Sequence, residues 1–155
     1  MEMRKAYNDK LNTLLKDNDK VVVLDADLAS ASGTSKLYVD YPERTINVGI
    51  SEANMISSAA GMSRTGLLPF VHSFAPFVSR RVLDQLYMSG VYSNNHLHIY
   101  ASDPGYWAQH NGGTHTTYED LSAVLAFPNI TVTAPSDPQQ FAFIMQAYID
   151  NPGVY

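Results

Sequence analysis

The run Val21-Val22-Val23-Leu24 is apolar at every position, and a strand of that kind is buried on both faces. Such a strand belongs in a parallel sheet covered on each side, and parallel strands need crossover segments, usually helices. The flanking sequence supplies them. From Met3 to Asn18, Tyr7, Leu11, Leu14 and Leu15 recur at helical spacing. Thr45 to Val48 reads as a second strand, Glu52 to Arg64 as a helix ended by Gly66, and Leu67 to His72 as a third strand. Phe74 to Tyr92 reads as one long helix, with Phe77, Val78, Val82 and Leu86 mostly on one side, and Leu97 to Ala101 as a further strand. Tyr118 to Ala126 predicts a short helix and Ile130 to Thr133 a strand. Ser136 is the expected cap of a last helix, with Pro138 in its first turn and its end near Asp150. The expected fold is α/β: a three-layer αβα sandwich with a mainly parallel sheet. A length of 155 residues suits one domain, and the closing Gly153-Val154-Tyr155 reads as a strand cut short at a domain edge.

Composition narrows the function. Hydrophobic residues make up 45% and charged residues 16%, a globular balance. No apolar run approaches the roughly 18 residues of a membrane helix. A formal net charge of -5 offers no basic footprint for nucleic acid. Met1 to Lys10 is too polar for a signal peptide. The absence of cysteine rules out disulfides and thiolate metal sites and fits a cytoplasmic protein.

Three clusters carry the chemistry-bearing residues. In Gly49-Ile50-Ser51-Glu52, a strand ends and a helix opens on an acid. Dipole stabilisation of the helix end explains such an acid, and so does a place in the ligand crevice of an α/β sheet. A carboxyl buried there among Met55, Phe74 and Phe77 is placed to exchange a proton with a ligand. Phe74 and Phe77, three residues apart at a helix start, share a face that serves either as core or as a platform for a flat ring. Arg80 and Arg81 beside them read as solvated, or as partners of Asp84. The loop from Ser102 to Thr117 is long for a compact domain, and it holds Asp103, His110, Asn111, paired glycines and His115. No metal-ligand spacing is convincing, Asp103, His110 and His115 included. The chain has no G-x-S-x-G elbow, no G-x-G-x-x-G fingerprint and no P-loop, so no recognised loop of its own holds a diphosphate.

Taken in order, these clusters resemble the pyrimidine-binding domain of the transketolase family, over almost the whole chain. The motifs are Gly49-Ile50-Ser51-Glu52, Phe74-Ala75-Pro76-Phe77, the stretch from Asn111 through Gly112-Gly113-Thr114-His115 to Glu119-Asp120, and Pro128-Asn129-Ile130-Thr131-Val132 with Ala134-Pro135-Ser136-Asp137. The resemblance implies the thiamine-diphosphate-binding fold and transfer of a two-carbon ketol unit between sugar phosphates. By it, Glu52 hydrogen-bonds the ring nitrogen of the cofactor's aminopyrimidine and Phe77 stacks on that ring. Phe74 lines the pocket and Asp27 lies near the cofactor. His115, Asn111 and Asp103 face the substrate, and Arg4 grips its phosphate.

In that family the Mg²⁺ or Ca²⁺ ligands belong to a Gly-Asp-Gly…Asn motif of the diphosphate-binding domain, which is absent here, so the resemblance implies that thiamine diphosphate is shared with a diphosphate-binding domain or subunit of the same enzyme. The resemblance thus implies a homodimer or heterotetramer, and an isolated chain without activity. It is nearest to the C-terminal subunit of split transketolases. Asn111 stands where sugar-binding transketolases carry Asp, Asn54 where His is common, and Arg80 where many have Tyr. Deoxyxylulose-phosphate synthase and the β subunit of a 2-oxo-acid dehydrogenase are the enzymatic alternatives. A non-catalytic assembly domain and a flavodoxin-like binding module are the alternatives of other classes.

Overall fold

In the computed structural model, which describes residues 2–155, four parallel strands share one sheet in the order β2-β1-β3-β4. Strand β1 (Val21–Asp25) pairs with β2 (Thr45–Asn47) on one side and β3 (Leu68–Phe74) on the other, and β3 pairs with β4 (His98–Ser102). All five residues of β1 are buried, as its apolar run requires. Successive side chains alternate between faces. Val22 and Leu24 join Val71 on one side, packed with Met55, Ile56 and Ala59 of helix α4 (Glu52–Arg64). Val21 and Val23 join Phe70 on the other, under helices α1 (Met3–Asp17) and α8 (Pro138–Asp150). Two hydrophobic cores thus sandwich the sheet, giving the three-layer αβα fold expected.

Short helices α2 (Ala29–Ser32) and α3 (Ser35–Asp40) lead from β1 to β2. From β1 the chain moves outward to β2 and then crosses back to β3 on the opposite side, so the ends of β1 and β3 flank a switch in direction. Crevices at such switch points, outside the C-terminal ends of the strands, are where α/β sheets bind ligands.

The structure corrects three sequence expectations. The single helix expected over Phe74 to Tyr92 is broken. Phe74 closes β3, and α5 (Ala75–Val78), a 3-10 turn (Arg80–Val82), α6 (Leu83–Gln85) and a π-helical stretch (Leu86–Tyr92) follow. The break lies at buried Ser79, whose dihedrals (φ -112°, ψ -96°) leave the helical region while its hydroxyl bonds back to Ala75 O at 2.6 Å.

The strand expected over Ile130 to Thr133 shrinks to one bridge, Ile130 to Val154, with Thr131 N donating to Val154 O at 2.8 Å. Val154 also bridges Leu97 in parallel, so Gly153-Val154-Tyr155 does sit in a strand position beside β4 and offers Ile130 little backbone to pair with. The third correction concerns the cap of α8, which is Asp137 and not Ser136. Its Oδ1 accepts from Gln139 N and Gln140 N, both at 2.8 Å, and a carboxylate also suits the positive end of the helix.

Candidate functional site

The site is built from the C-terminal ends of β2 and β3 and from the loop after β4. Beyond β2 the chain turns through Gly49 (φ 73°) and enters α4 at Glu52, the only acid in that helix's first turn. The Glu52 residue is 3% exposed. A buried carboxylate needs hydrogen-bond partners, and two reach it. Arg81 Nη1 donates to Oε2 at 2.9 Å, and the buried Ser73 hydroxyl, on β3, lies 3.5 Å from Oε1.

At the end of β3, Phe74 and Phe77 stand on one face with ring centroids 6.0 Å apart, both half-buried. The Arg81 guanidinium covers the Phe77 ring. His115 closes the same corner, its ring edge-on to Phe77 at 5.0 Å and tilted toward Phe74 at 5.8 Å. The loop reaches this point because Gly112 adopts φ 82° and ψ -174°, a conformation open essentially to glycine alone. The Thr114 hydroxyl lies 2.8 Å from His115 Nδ1.

Glu52, Phe74, Phe77 and His115 are therefore linked by contacts. Asn111 ends a 3-10 turn (Gln109–Asn111) just before Gly112 and is exposed. Asp27 is exposed and takes a positive φ of 65°. Its backbone and carboxylate meet the Asn47 amide, whose Oδ1 also accepts from Gly49 N at 2.9 Å, tying Asp27 to the turn before Glu52. Asp103, which follows Ser102, the register partner of Phe74, lines with Arg4 a cavity of about 510 Å³ between β4 and the 130–135 segment. None of Glu52, Phe74, Phe77 and His115 lines that cavity. Arg4 is engaged by Glu2 at 2.8 Å, and Asp103 accepts from the Ser102 hydroxyl at 3.0 Å. Among the described residues, no group of three or more His, Asp and Glu could hold a metal ion, and no helix is long and apolar enough to cross a membrane.

Residues 1–154 match the family described as "Transketolase, pyrimidine binding domain". The chain belongs to that family. It is 44% identical over 138 residues to a 6-deoxy-6-sulfo-D-fructose transketolase subunit of Clostridium sp. (strain MSTE9), covering 89% of this chain and 43% of that protein. Over 135 residues it is 37% identical to a putative transketolase C-terminal section of Methanocaldococcus jannaschii, covering 87% of this chain and 43% of that one. Among solved structures, a split-gene transketolase described as an inactive beta4 tetramer superimposes with a TM-score of 0.85 at 35% identity, over 98% of this chain and 49% of that one. The transketolase pyrimidine domain described here thus spans less than half the length of each of these relatives.

In this transketolase domain, sequence reasoning misplaced the two arginines. Neither meets Asp84. Arg81 pairs with Glu52, and Arg80 with Glu119 at 2.7 Å. Their partners lie 29 and 39 residues away, and no local pattern encodes them. Ser73 went unnoticed for the same reason, although its place at the end of an apolar strand is a usable signal.

Proposed function

We propose that this domain forms the pyrimidine-binding half of a thiamine-diphosphate site in a split-type transketolase. A diphosphate-binding domain or subunit, carrying the Mg²⁺ or Ca²⁺, completes it in a homodimer or heterotetramer. The observation that carries this reading is a buried carboxylate, Glu52, beside a half-open aromatic face, Phe77. The Arg81 guanidinium, a flat hydrogen-bond donor, already occupies both, stacked on the ring with one edge on the carboxylate. An aminopyrimidine needs the same two contacts, so the residues present fit that ring.

When bound, thiamine diphosphate supplies the electron sink for cleavage of a ketose C–C bond. The chain's own share follows from its geometry. Glu52 holds a proton against a ring nitrogen, and its burial keeps water from competing for that bond. Phe77 and Phe74 set the plane of the ring. His115, edge-on to both, presents a donor or acceptor to a substrate oxygen. Asp27 supports the turn before Glu52.

The named relatives support a transketolase over a deoxyxylulose-phosphate synthase or a 2-oxo-acid dehydrogenase, and they support a chain that is inactive without its partner. The substrate is a ketose with an anionic end group. The resemblance points to a sugar phosphate, and the name of the Clostridium relative to a sulfonate. Asn111, uncharged, avoids repelling either, and Arg4 is the cation proposed to grip that group. The cytoplasm is the proposed compartment.

Calorimetric titration of thiamine diphosphate and Mg²⁺ tests this, using the chain alone and mixed with a diphosphate-domain subunit from the same source. Expected is binding only in the mixture, lost in Phe77→Ala. Tight binding to the lone chain would contradict the half-site. No binding in either arm would favour an assembly domain in which the Glu52–Arg81 pair is purely structural.

A further inference from the structure

Arg80 makes four side-chain hydrogen bonds, all to one loop. Nη1 donates to Thr116 O at 3.2 Å and Glu119 Oε1 at 2.7 Å, and Nη2 donates to Gly113 O at 3.0 Å and Thr114 O at 3.2 Å. The backbone carbonyls held this way lie on both sides of His115. The guanidinium fork has the planar spread of donors that this needs, whereas a lysine offers three donors from a single point. Glu119 in turn anchors the fork. Its Oε2 accepts from Tyr118 N at 2.9 Å, and its carbonyl accepts from Ala123 N at 2.8 Å, at the start of helix α7 (Asp120–Leu125). The Tyr118 amide above all, and then the Arg80 hydrogen bond, hold the Glu119 carboxyl below the usual carboxylate range. The pair is only partly buried, so its ion-pair strength alone is small; its weight lies in four bonds made at once.

Beyond Arg80, the loop is fastened at its far end, where buried Thr117 donates its N–H to Gly105 O at 3.1 Å and its hydroxyl accepts from Gly105 N at 3.1 Å; the His115 turn itself has fewer ties. His115 N and the Thr116 hydroxyl both bond to Gly112 O, within the loop itself. Arg80 comes from the 3-10 turn just past the break at Ser79, three residues from Phe77. The element that carries the aromatic face therefore also holds the loop that carries the histidine.

We infer that Arg80, braced by Glu119, is the positioning residue that sets His115 against Phe74 and Phe77. Its catalytic consequence rests on the thiamine-site reading; the positioning itself does not.

Nuclear magnetic resonance of the isotope-labelled full chain tests it. In Arg80→Met, amide exchange across Gly113 to Thr116 should speed about tenfold or more, and the His115 ring protons should lose the shifts imposed by the two phenyl rings. Arg80→Lys should restore these only in part, and Glu119→Gln should show a smaller change of the same kind. With a diphosphate-domain subunit, Arg80→Met should lower kcat while leaving thiamine diphosphate affinity unchanged. Wild-type His115 shifts and loop exchange in Arg80→Met would overturn the inference, as would exchange rising equally across the sheet amides. Should Arg80→Met fail to fold, Glu119→Gln, at the surface, carries the same test. A wild-type mixture that binds no thiamine diphosphate would defeat the functional reading, and the resonance data would still judge the clamp.

Discussion

Arg81 places its guanidinium carbon 3.7 Å from the centroid of the Phe77 ring while its Nη1 donates to Glu52 at 2.9 Å. A flat ring that stacks on Phe77 and reaches Glu52 must displace that cation. Arg81→Gln should therefore tighten thiamine diphosphate binding in the reconstituted mixture several-fold. The same change leaves Glu52 short of its counter-charge and should cost the free domain about 1 kcal/mol, less than a fully buried pair because Arg81 is half-exposed. Calorimetry and urea unfolding read the two effects. Weaker binding in Arg81→Gln would show that the arginine supports the ring instead of yielding to it.

Gly112 and Gly113 are adjacent and should respond differently to alanine. At φ 82° and ψ -174°, Gly112→Ala forces a strained backbone at a cost of about 1–3 kcal/mol, or else the turn refolds and carries His115 away. Gly113 has no positive φ, and a Cβ there meets nothing within 4 Å, so Gly113→Ala should change stability by under about 1 kcal/mol. Equal effects in thermal unfolding would contradict this.

Stability should fall as the medium turns acid. Burial, helped for His72 by the Arg4 charge, lowers the pKa of His72 and of His98 from 6.5 to about 3. Below about pH 6.5 the unfolded chain takes up two protons that the folded chain refuses, so each histidine subtracts about 2 kcal/mol by pH 5. Asp25 works in the opposite sense. Burial raises its pKa above 3.8, so just above that pH the folded carboxyl keeps a proton the unfolded chain releases, and its contribution falls as pH rises. Urea unfolding at pH 7, 6 and 5 should show the loss. His98→Phe, beside Phe70 at 4.7 Å, should remove about half of it. A flat profile would mean that these rings gain protons without unfolding.

The sequence carried the layers of this fold better than its edges. The Val21 to Leu24 run and the helical spacing of Tyr7, Leu11 and Leu14 are local patterns, and burial followed them. The helix expected from Phe74 to Tyr92 failed at Ser79, where packing and a back-bonded hydroxyl override a continuous apolar stripe. The Ile130 strand failed because pairing depends on what lies beside it. Of the candidate site, Glu52, Phe74, Phe77 and His115 were legible as motif residues. Arg81 was visible only as a charge and Arg80 only as a charge standing where many relatives have Tyr, since their partners arrive from other elements. Arg4 and Asp103, grouped with the substrate side by resemblance, line one cavity that begins beside Ser102, the register partner of Phe74.

The direct test of the central claim, that Glu52 activates a shared thiamine diphosphate, is the rate of hydrogen–deuterium exchange at the thiazolium C2. It is measured by proton resonance in the chain mixed with its diphosphate-domain partner. Wild type should accelerate exchange over free cofactor, and Glu52→Gln should lose roughly 10²–10⁴-fold of that acceleration while the domain stays folded. Exchange as fast in Glu52→Gln as in wild type would contradict the assignment of Glu52 and, with it, the proposed half-site.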